Sequence, residues 1–560
     1  MSTQLKDNHI TAVDDDESSE FDQIPLKMAE AARRRSQWRS GGMACLLLLG
    51  VGLVVRSSLD EPLSSTLNVV TWNIAAINNN PFEYWITPDD DEYNKLMADV
   101  QEFVDTPGAR DVMVKDVFSQ EQFDDLKALM LTEGWDVAGT EARWNDDFQS
   151  RHIISGFLKD ASLGEKRLAS MPDRVTNTIN TGDQGVLCRP TVINCYDGDL
   201  GSSPKWWAQW KSFMFSKQLL LADGSTQTTR PVKMLQPIKR SKYPALTVEE
   251  EAMSLPLQTL SQAIFDSILV HIVNTVSPNG RWQGLRQEMC DALNRHKDER
   301  TLSILAKTYA NADIIFLQES AVAFAAKARA AIGHRFVVAR SDTFDTSRDQ
   351  NSLVLMSKDR FVESTVVDHT ATVMSSFTRA VPVASGDLNV LSVEDKRGGR
   401  YLLASFHGDT NGLATKPVLA AVDQMAHTMP DRTLIFGLDA NTYEADVPGK
   451  LQNVLDWAVD YNSKGYTSCW GDTPNPKNHT TYNARTYLQA QLQKAAKQSE
   501  TAIKGDKNPK DFILFPKGTF KVMRTDKDNT GERRYVEDMV FPTLQFPSDH
   551  GVLSTTLVEL

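Results

Sequence analysis

Cysteine is scarce in this chain, and an excess of basic charge is missing altogether. Five cysteines stand in 560 residues (Cys45, Cys188, Cys195, Cys290 and Cys469). No two of them form a C-x-x-C pair, which argues against a structural zinc site. Lys and Arg number 60 against 73 Asp and Glu, for a net charge of −13. Proteins that hold nucleic acid for long usually present a basic face, so that class is disfavoured. An acidic enzyme can still cut nucleic acid when bound divalent cations offset its own charge. Long apolar runs are also lacking, with one exception near the N-terminus. From Asn78 to about Arg300 no recognisable chemistry appears. Against these absences, 41% hydrophobic and 24% charged residues describe an ordinary globular chain with ample core.

The exception is Gly41–Val55, a run of 15 residues, a little short of the roughly 17–25 that span a bilayer. Arg33, Arg34, Arg35 and Arg39 precede it, and Asp60 and Glu61 follow. With Arg39 and Arg56 snorkelling, residues 41–56 read as a short signal-anchor. The positive-inside rule places an acidic and basic tail (1–40) in the cytosol, and a stem (57–66) and the rest of the chain in the lumen or outside the cell. Cleavage after Val55-Arg-Ser57 is the competing reading. The glycosylation sequon Asn478-His-Thr480 is usable in that topology. In the same topology Cys188 and Cys195 can close a small loop, with free buried thiols as the equal alternative.

The region of about 80–300 reads as mixed but mainly helical. Leu257, Leu260, Ile264, Ile268 and Ile272 recur at three- and four-residue steps, which predicts one apolar helix face. Trp206, Trp207 and Trp210 suit core packing better than a partner surface. His152, His271 and His296 are scattered and receive no role.

Chemistry concentrates at strand ends. Leu67-Asn-Val-Val-Thr-Trp72-Asn73 is a buried-type strand ending in an amide, suited to holding a metal-binding carboxylate or a phosphate oxygen. After a helix near Leu302–Ala310, Asp313-Ile-Ile-Phe-Leu-Gln318-Glu319 places an acid behind four apolar residues. Such an acid is costly to bury alone but can ligate a hard cation. Tyr401–Phe406 opens into His407-Gly-Asp409-Thr-Asn411. Thr433–Gly437 leads to Asp439-Ala-Asn441, whose two side chains point the same way if the segment is extended. Asp511 begins a strand, and Ser548-Asp549-His550 precedes the last one. An imidazole beside a carboxylate suits metal binding or acid–base work.

This ordered series resembles the endonuclease/exonuclease/phosphatase superfamily of metal-dependent phosphoesterases, over residues 67–77 and about 300–560. The resemblance implies a four-layered α/β/β/α sandwich over 67–560 with a large helical insertion at about 80–300. It implies Mg²⁺, or alternatively Mn²⁺, bound by Glu319 with Asn73 and Asp549. It implies catalysis by His550 paired with Asp511, by Asp439 and Asn441 around an attacking water, and by His407. Asn441 and His407 are also the implied phosphate contacts. The substrate is expected to be a phosphoester: a lipid headgroup, a nucleotide or nucleic acid. No obligate protein partner is evident, and the membrane is met through residues 41–56. The competing reading is an inactive binding protein of the same fold whose insertion holds a partner.

Three departures stand out. Gly437-Leu-Asp439-Ala-Asn441 carries an extra residue before the aspartate, and Asp511-Phe-Ile lacks the arginine of inositol phosphatases. Asn73 and Glu319 are 246 residues apart, where the family usually has a short helix.

Overall fold

The computed structural model describes residues 66–224, 226–346, 350–378, 380–489 and 505–560. The tail, the apolar run and nearly all of the stem lie outside the described residues, as does Cys45. The described chain is a mixed α/β protein built around two six-stranded sheets.

Twelve strands make these sheets: β1 (Thr66–Asn73), β2 (Ile314–Ser320), β3 (Phe336–Ala339), β4 (Asn351–Ser357), β5 (Val367–Asp368), β6 (Leu388–Glu394), β7 (Arg400–His407), β8 (Thr433–Asp439), β9 (Tyr466–Ser468), β10 (Asp511–Pro516), β11 (Phe520–Asp528) and β12 (Val552–Glu559). The first sheet runs β11-β12-β1-β2-β4-β3 and the second β9-β10-β8-β7-β6-β5. The central strands read as continuous apolar runs because both of their faces are buried. Alternate residues go to opposite sides. Leu67, Val69, Ile314 and Phe316 of the first sheet meet Leu403, Ile435 and Ile513 of the second in one apolar cluster. On the far face of the first sheet, Val70, Trp72, Ile315 and Leu317 face helices.

Eight helices matter here: α1 (Asp91–Asp105), α2 (Ser203–Phe215), α3 (Ser254–Val276), α4 (Arg281–Cys290), α5 (Lys297–Lys307), α6 (Phe324–Ile332), α7 (Thr415–Thr428) and α8 (Val454–Ser463). The last two cover the outer face of the second sheet, where Val418, Leu419, Val422 and Trp457 pack on Leu402, Phe436 and Leu438. Between β1 and β2 the chain is mainly helical, and its centre is α3. The spacing of its leucines and isoleucines predicts one apolar face, yet Leu257 to Val270 are buried without interruption. Polar residues on the other sides bond within the protein, although Gln262 Oε1 has no partner among the described residues. Asp266 accepts from Arg189, Thr191 and Trp210, and the Ser267 hydroxyl donates to the Val117 carbonyl. By length and composition α3 could cross a membrane, but 78% of its most apolar stretch is buried inside the protein. Trp206 and Trp210 are fully buried and Trp207 nearly so, as packing residues should be.

Of the two readings left open for Cys188 and Cys195, the small loop does not form. Cys195 bonds Cys290, with Cα atoms 5.7 Å apart, and Cys188 is free. Cys188 ends a short hairpin strand, whereas the fold brings Cys195 to the last residue of α4. A bridge follows spatial approach, not closeness in sequence.

One glycine reports how closely the sheets approach. A Cβ on Gly437, in β8, would sit 2.2 Å from the Phe316 ring of the facing sheet. Gly437→Ala is therefore expected to destabilise the protein by about 1–3 kcal/mol, the usual cost of overpacking a filled core. Urea unfolding measures this, and an unchanged midpoint would mean that the sheets yield without strain.

Candidate active site

Register brings the polar strand ends together. In the second sheet His407 on β7 is the lateral neighbour of Asp439 on β8. Asp439 in turn is the neighbour of Asp511 on β10. In the first sheet Asn73 on β1 pairs with Gln318 on β2, so Glu319 lies one residue beyond. The pairing of β2 with β4 shifts between Leu317 and Ser320, and Glu319 takes a φ of 55°. Bulges and left-handed non-glycine residues are costly and tend to collect where a side chain must be re-aimed. Here the irregularity turns the Glu319 carboxylate toward the second sheet.

The Asn73 side chain joins the two halves. Its NH₂ donates to Glu319 Oε1 at 2.9 Å and to Asp439 Oδ2 at 2.9 Å, while its amide oxygen accepts from Ala75 N–H. Asn73 therefore holds both carboxylates, as read for an amide beside a metal-binding acid. Ala76 N–H donates to Glu319 Oε2 at 2.7 Å. His407 Nε2 lies 3.2 Å from Glu319 Oε1 and 3.6 Å from Asp439 Oδ2. On the other side, His550 Nδ1 meets Asp511 Oδ2 at 3.0 Å, and its Nε2 faces Asp439 Oδ2 at 3.5 Å. Two triads of ligand atoms result, Glu319/His407/Asp439 and Asp439/Asp511/His550, each spanning less than 4.8 Å.

Two expected residues sit differently. Asn441 is not extended. It has a φ of 46°, its N–H donates to Asp439 Oδ1 at 2.8 Å, and its buried side-chain amide bonds no described residue. The strand ends at Asp439, so the two-residue alternation does not continue through Asn441. Asp549 is half-buried, its Oδ2 accepts from Asn483 at 3.0 Å, and it joins neither triad.

Several further residues, given no role of their own from the sequence, complete the site. Ser548 donates to the Asn73 carbonyl at 2.7 Å, and Trp72 Nε1 donates to the His550 carbonyl at 2.9 Å, which lock the last motif onto the first. Gln318 donates to Thr71 and to Ser405 of the facing sheet, tying the sheets together beneath the site. The Thr480 hydroxyl accepts from the N–H groups of Lys510 and Asp511. Lys510 is buried against Asp506 at 2.5 Å. Lys297, the first residue of α5, is buried and donates to the Ala76 carbonyl. A helix start earlier than Leu302 was the missing signal for it.

Electrostatics explain how so many acids share one space. Burial alone pushes the Glu319 and Asp439 carboxyls up. His407, the Asn73 amide and Ala76 N–H more than offset it for Glu319; His550, His407 and Lys510 do so for Asp439. Both are held below the usual carboxylate range. Burial dominates at Asp511 and Asp549, which are raised despite the His550 charge. For His550 burial pulls downward, but Asp511 and Asp439 outweigh it and raise the imidazole to about 10. A hard divalent cation fits this donor set: ionised carboxylate oxygens with an imidazole nitrogen beside them, clustered tightly enough for one ion.

A model described as "Domain of unknown function (DUF8234)" matches residues 111–287, within the helical region between β1 and β2. No curated protein matches the chain. Among solved structures, a humanized D. rerio TDP2 is 16% identical, with 48% of this chain and 95% of that chain covered at a TM-score of 0.30. The catalytic domain of human Nocturnin with bound sulfate is 11% identical, covering 47% of this chain and 87% of that one at 0.31. An endonuclease/exonuclease/phosphatase family protein from Bacteroides thetaiotaomicron is 14% identical, covering 47% and 89% at 0.31. Each of these likenesses covers about half of this chain.

Proposed function

We propose that this protein is a Mg²⁺-dependent phosphoesterase of phosphodiesterase type. The observation that carries the reading is the convergence on Asp439 Oδ2 of Asn73, His407 and His550, from three separate strand ends. In this reading the sheets and their helices form a four-layered α/β/β/α sandwich, supported by the apolar cluster between the sheets and the helix-facing clusters outside them.

Glu319 and Asp439 would hold the cation, with His407 beside them. Mg²⁺ bound there supplies charge neutralisation at the phosphate and polarises its oxygens. The residues do the rest. Asp439 orients the attacking water and is itself aimed by Asn73 and the Asn441 N–H. The Asn441 amide, which bonds no other described residue, would meet a phosphate oxygen. Asp511 fixes the His550 ring through Nδ1, leaving Nε2–H to face the charge that builds on the phosphoryl oxygens and to pass a proton to the leaving side. We also propose that residues 41–56 anchor the chain in a membrane with the site outside the cytosol, which the flanking charges support. A lipid headgroup, a nucleotide and nucleic acid are the substrates to compare.

On bis(p-nitrophenyl) phosphate, Glu319→Ala and His550→Ala are each expected to lower kcat by about 100-fold or more. EDTA should abolish turnover and added Mg²⁺ restore it. Wild-type activity indifferent to either substitution, or to chelation, would leave the binding-protein reading in its place.

A pH dependence follows from His550. Its folded-state imidazole is raised from 6.5 to about 10. The stability it contributes is therefore complete below about pH 6.5 and lost as pH rises through about 10. Metal-free wild type should lose Tm between pH 7 and 10 more steeply than His550→Ala. Parallel curves for the two proteins would refute this.

A further inference from the structure

The long helical region between β1 and β2 ends by delivering a positive charge to the site. Lys297 opens α5, the helix that returns the chain to β2, and is only 5% exposed. Its Nζ donates to the Ala76 carbonyl at 3.1 Å. Ala76 also donates its own N–H, from the preceding peptide unit, to Glu319 Oε2 at 2.7 Å. An ammonium carries three donors, and one carbonyl uses one of them.

A buried charge is normally closed by an opposite one. Arg189 is met by Asp266 and Asp173, and Lys510 by Asp506, whereas the buried Arg286 has no carboxylate within ion-pair distance among the described residues and is held by the Thr191 carbonyl and the Trp282 ring. Among the described residues no carboxylate comes within ion-pair distance of Lys297 Nζ. Burial pulls the Lys297 ammonium down to about 8, and the charges that act most against this are those of Asp549 and then Glu319. An ammonium bonded to the residue whose N–H holds Glu319, with donors to spare, is placed for a ligand oxygen.

We propose that Lys297 is a substrate-binding residue supplied by the region between β1 and β2, its ammonium taking a non-bridging oxygen of the phosphate held in the site. This rests on the phosphoesterase reading above. It gives the long excursion a chemical share in the site: the chain between Asn73 and Glu319 returns with a fixed cation that no sheet residue supplies at that place. Lys suits the task as a compact point charge.

The test uses the full chain and the variants Lys297→Met, Lys297→Gln and Lys297→Arg. Calorimetric titration with inorganic phosphate at saturating Mg²⁺ reads binding without turnover. Kinetics on bis(p-nitrophenyl) phosphate read catalysis, and Mn²⁺ titration followed by electron paramagnetic resonance reads the cation site. Met and Gln should weaken phosphate binding about tenfold and lower kcat/KM by roughly 10–100-fold. Mn²⁺ affinity should stay within about threefold, and Arg should recover part of the phosphate binding. Both neutral variants remove a buried charge and are expected to fold. Phosphate affinity and kcat/KM within about twofold of wild type in a neutral variant would overturn the proposal. So would a wild type that binds no phosphate with Mg²⁺ present. A phosphate defect matched by an equal loss of Mn²⁺ affinity, and unrelieved by Arg, would make Lys297 a prop for the Ala76 turn instead. If wild type binds phosphate through Lys297 but hydrolyses nothing, only the hydrolase reading falls.

Discussion

Two carboxylates, one from each sheet, share a single asparagine amide. Glu319 comes from the edge of β2 and Asp439 from the end of β8, and Asn73 on β1 donates one hydrogen to each. Charge-assisted hydrogen bonds of this kind are strong, and in a buried setting they fix geometry as well as energy. Without the amide the two sheets would bring like charges toward each other with only imidazoles between. The packing below serves the same end. Gly437 lets the Phe316 ring come close, and Gln318 and Ser405 bond across the gap.

Around that amide the site is a balance of charge. Carboxylates approach the centre from β2, β8, β10 and the turn before β12. His550 stays cationic because Asp511 and Asp439 flank it, which outweighs its burial. Lys510 lends its charge to Asp439 while bonded to Asp506. What remains is a concentration of ionised oxygen that suits a hard cation, with imidazole and amide groups placed to meet an anion.

The region between β1 and β2 contributes through its end more than through its bulk. Its centre is the buried α3, braced by the Arg189–Asp266 pair, and its last stretch is pinned by the Cys195–Cys290 bond. A disulfide at the end of α4 and a turn of π-helix lead straight into α5 and Lys297. The covalent tether therefore stands a few residues from the lysine that reaches the site.

Much of this was legible in the residues themselves. Apolar runs that stop at an amide, an acid or an imidazole mark buried strands with one polar end, because burying such a group in mid-strand is costly. Asn73, Glu319, His407, Asp439, Asp511 and His550 all stand at such ends, and the fold gathers them into one place. What depends on approach between distant segments is not legible there. Asn441 turned into a left-handed conformation, so the alternation of an extended chain no longer described it. Cys195 found Cys290 and not its near neighbour Cys188. Lys297, Ser548, Thr480 and Gln318 look like ordinary polar residues until register and helix docking aim them. Local patterns determine which side chains are buried and which end of a strand is polar. Which groups then share hydrogen bonds and charge is decided by contacts across hundreds of residues, and no local pattern encodes those.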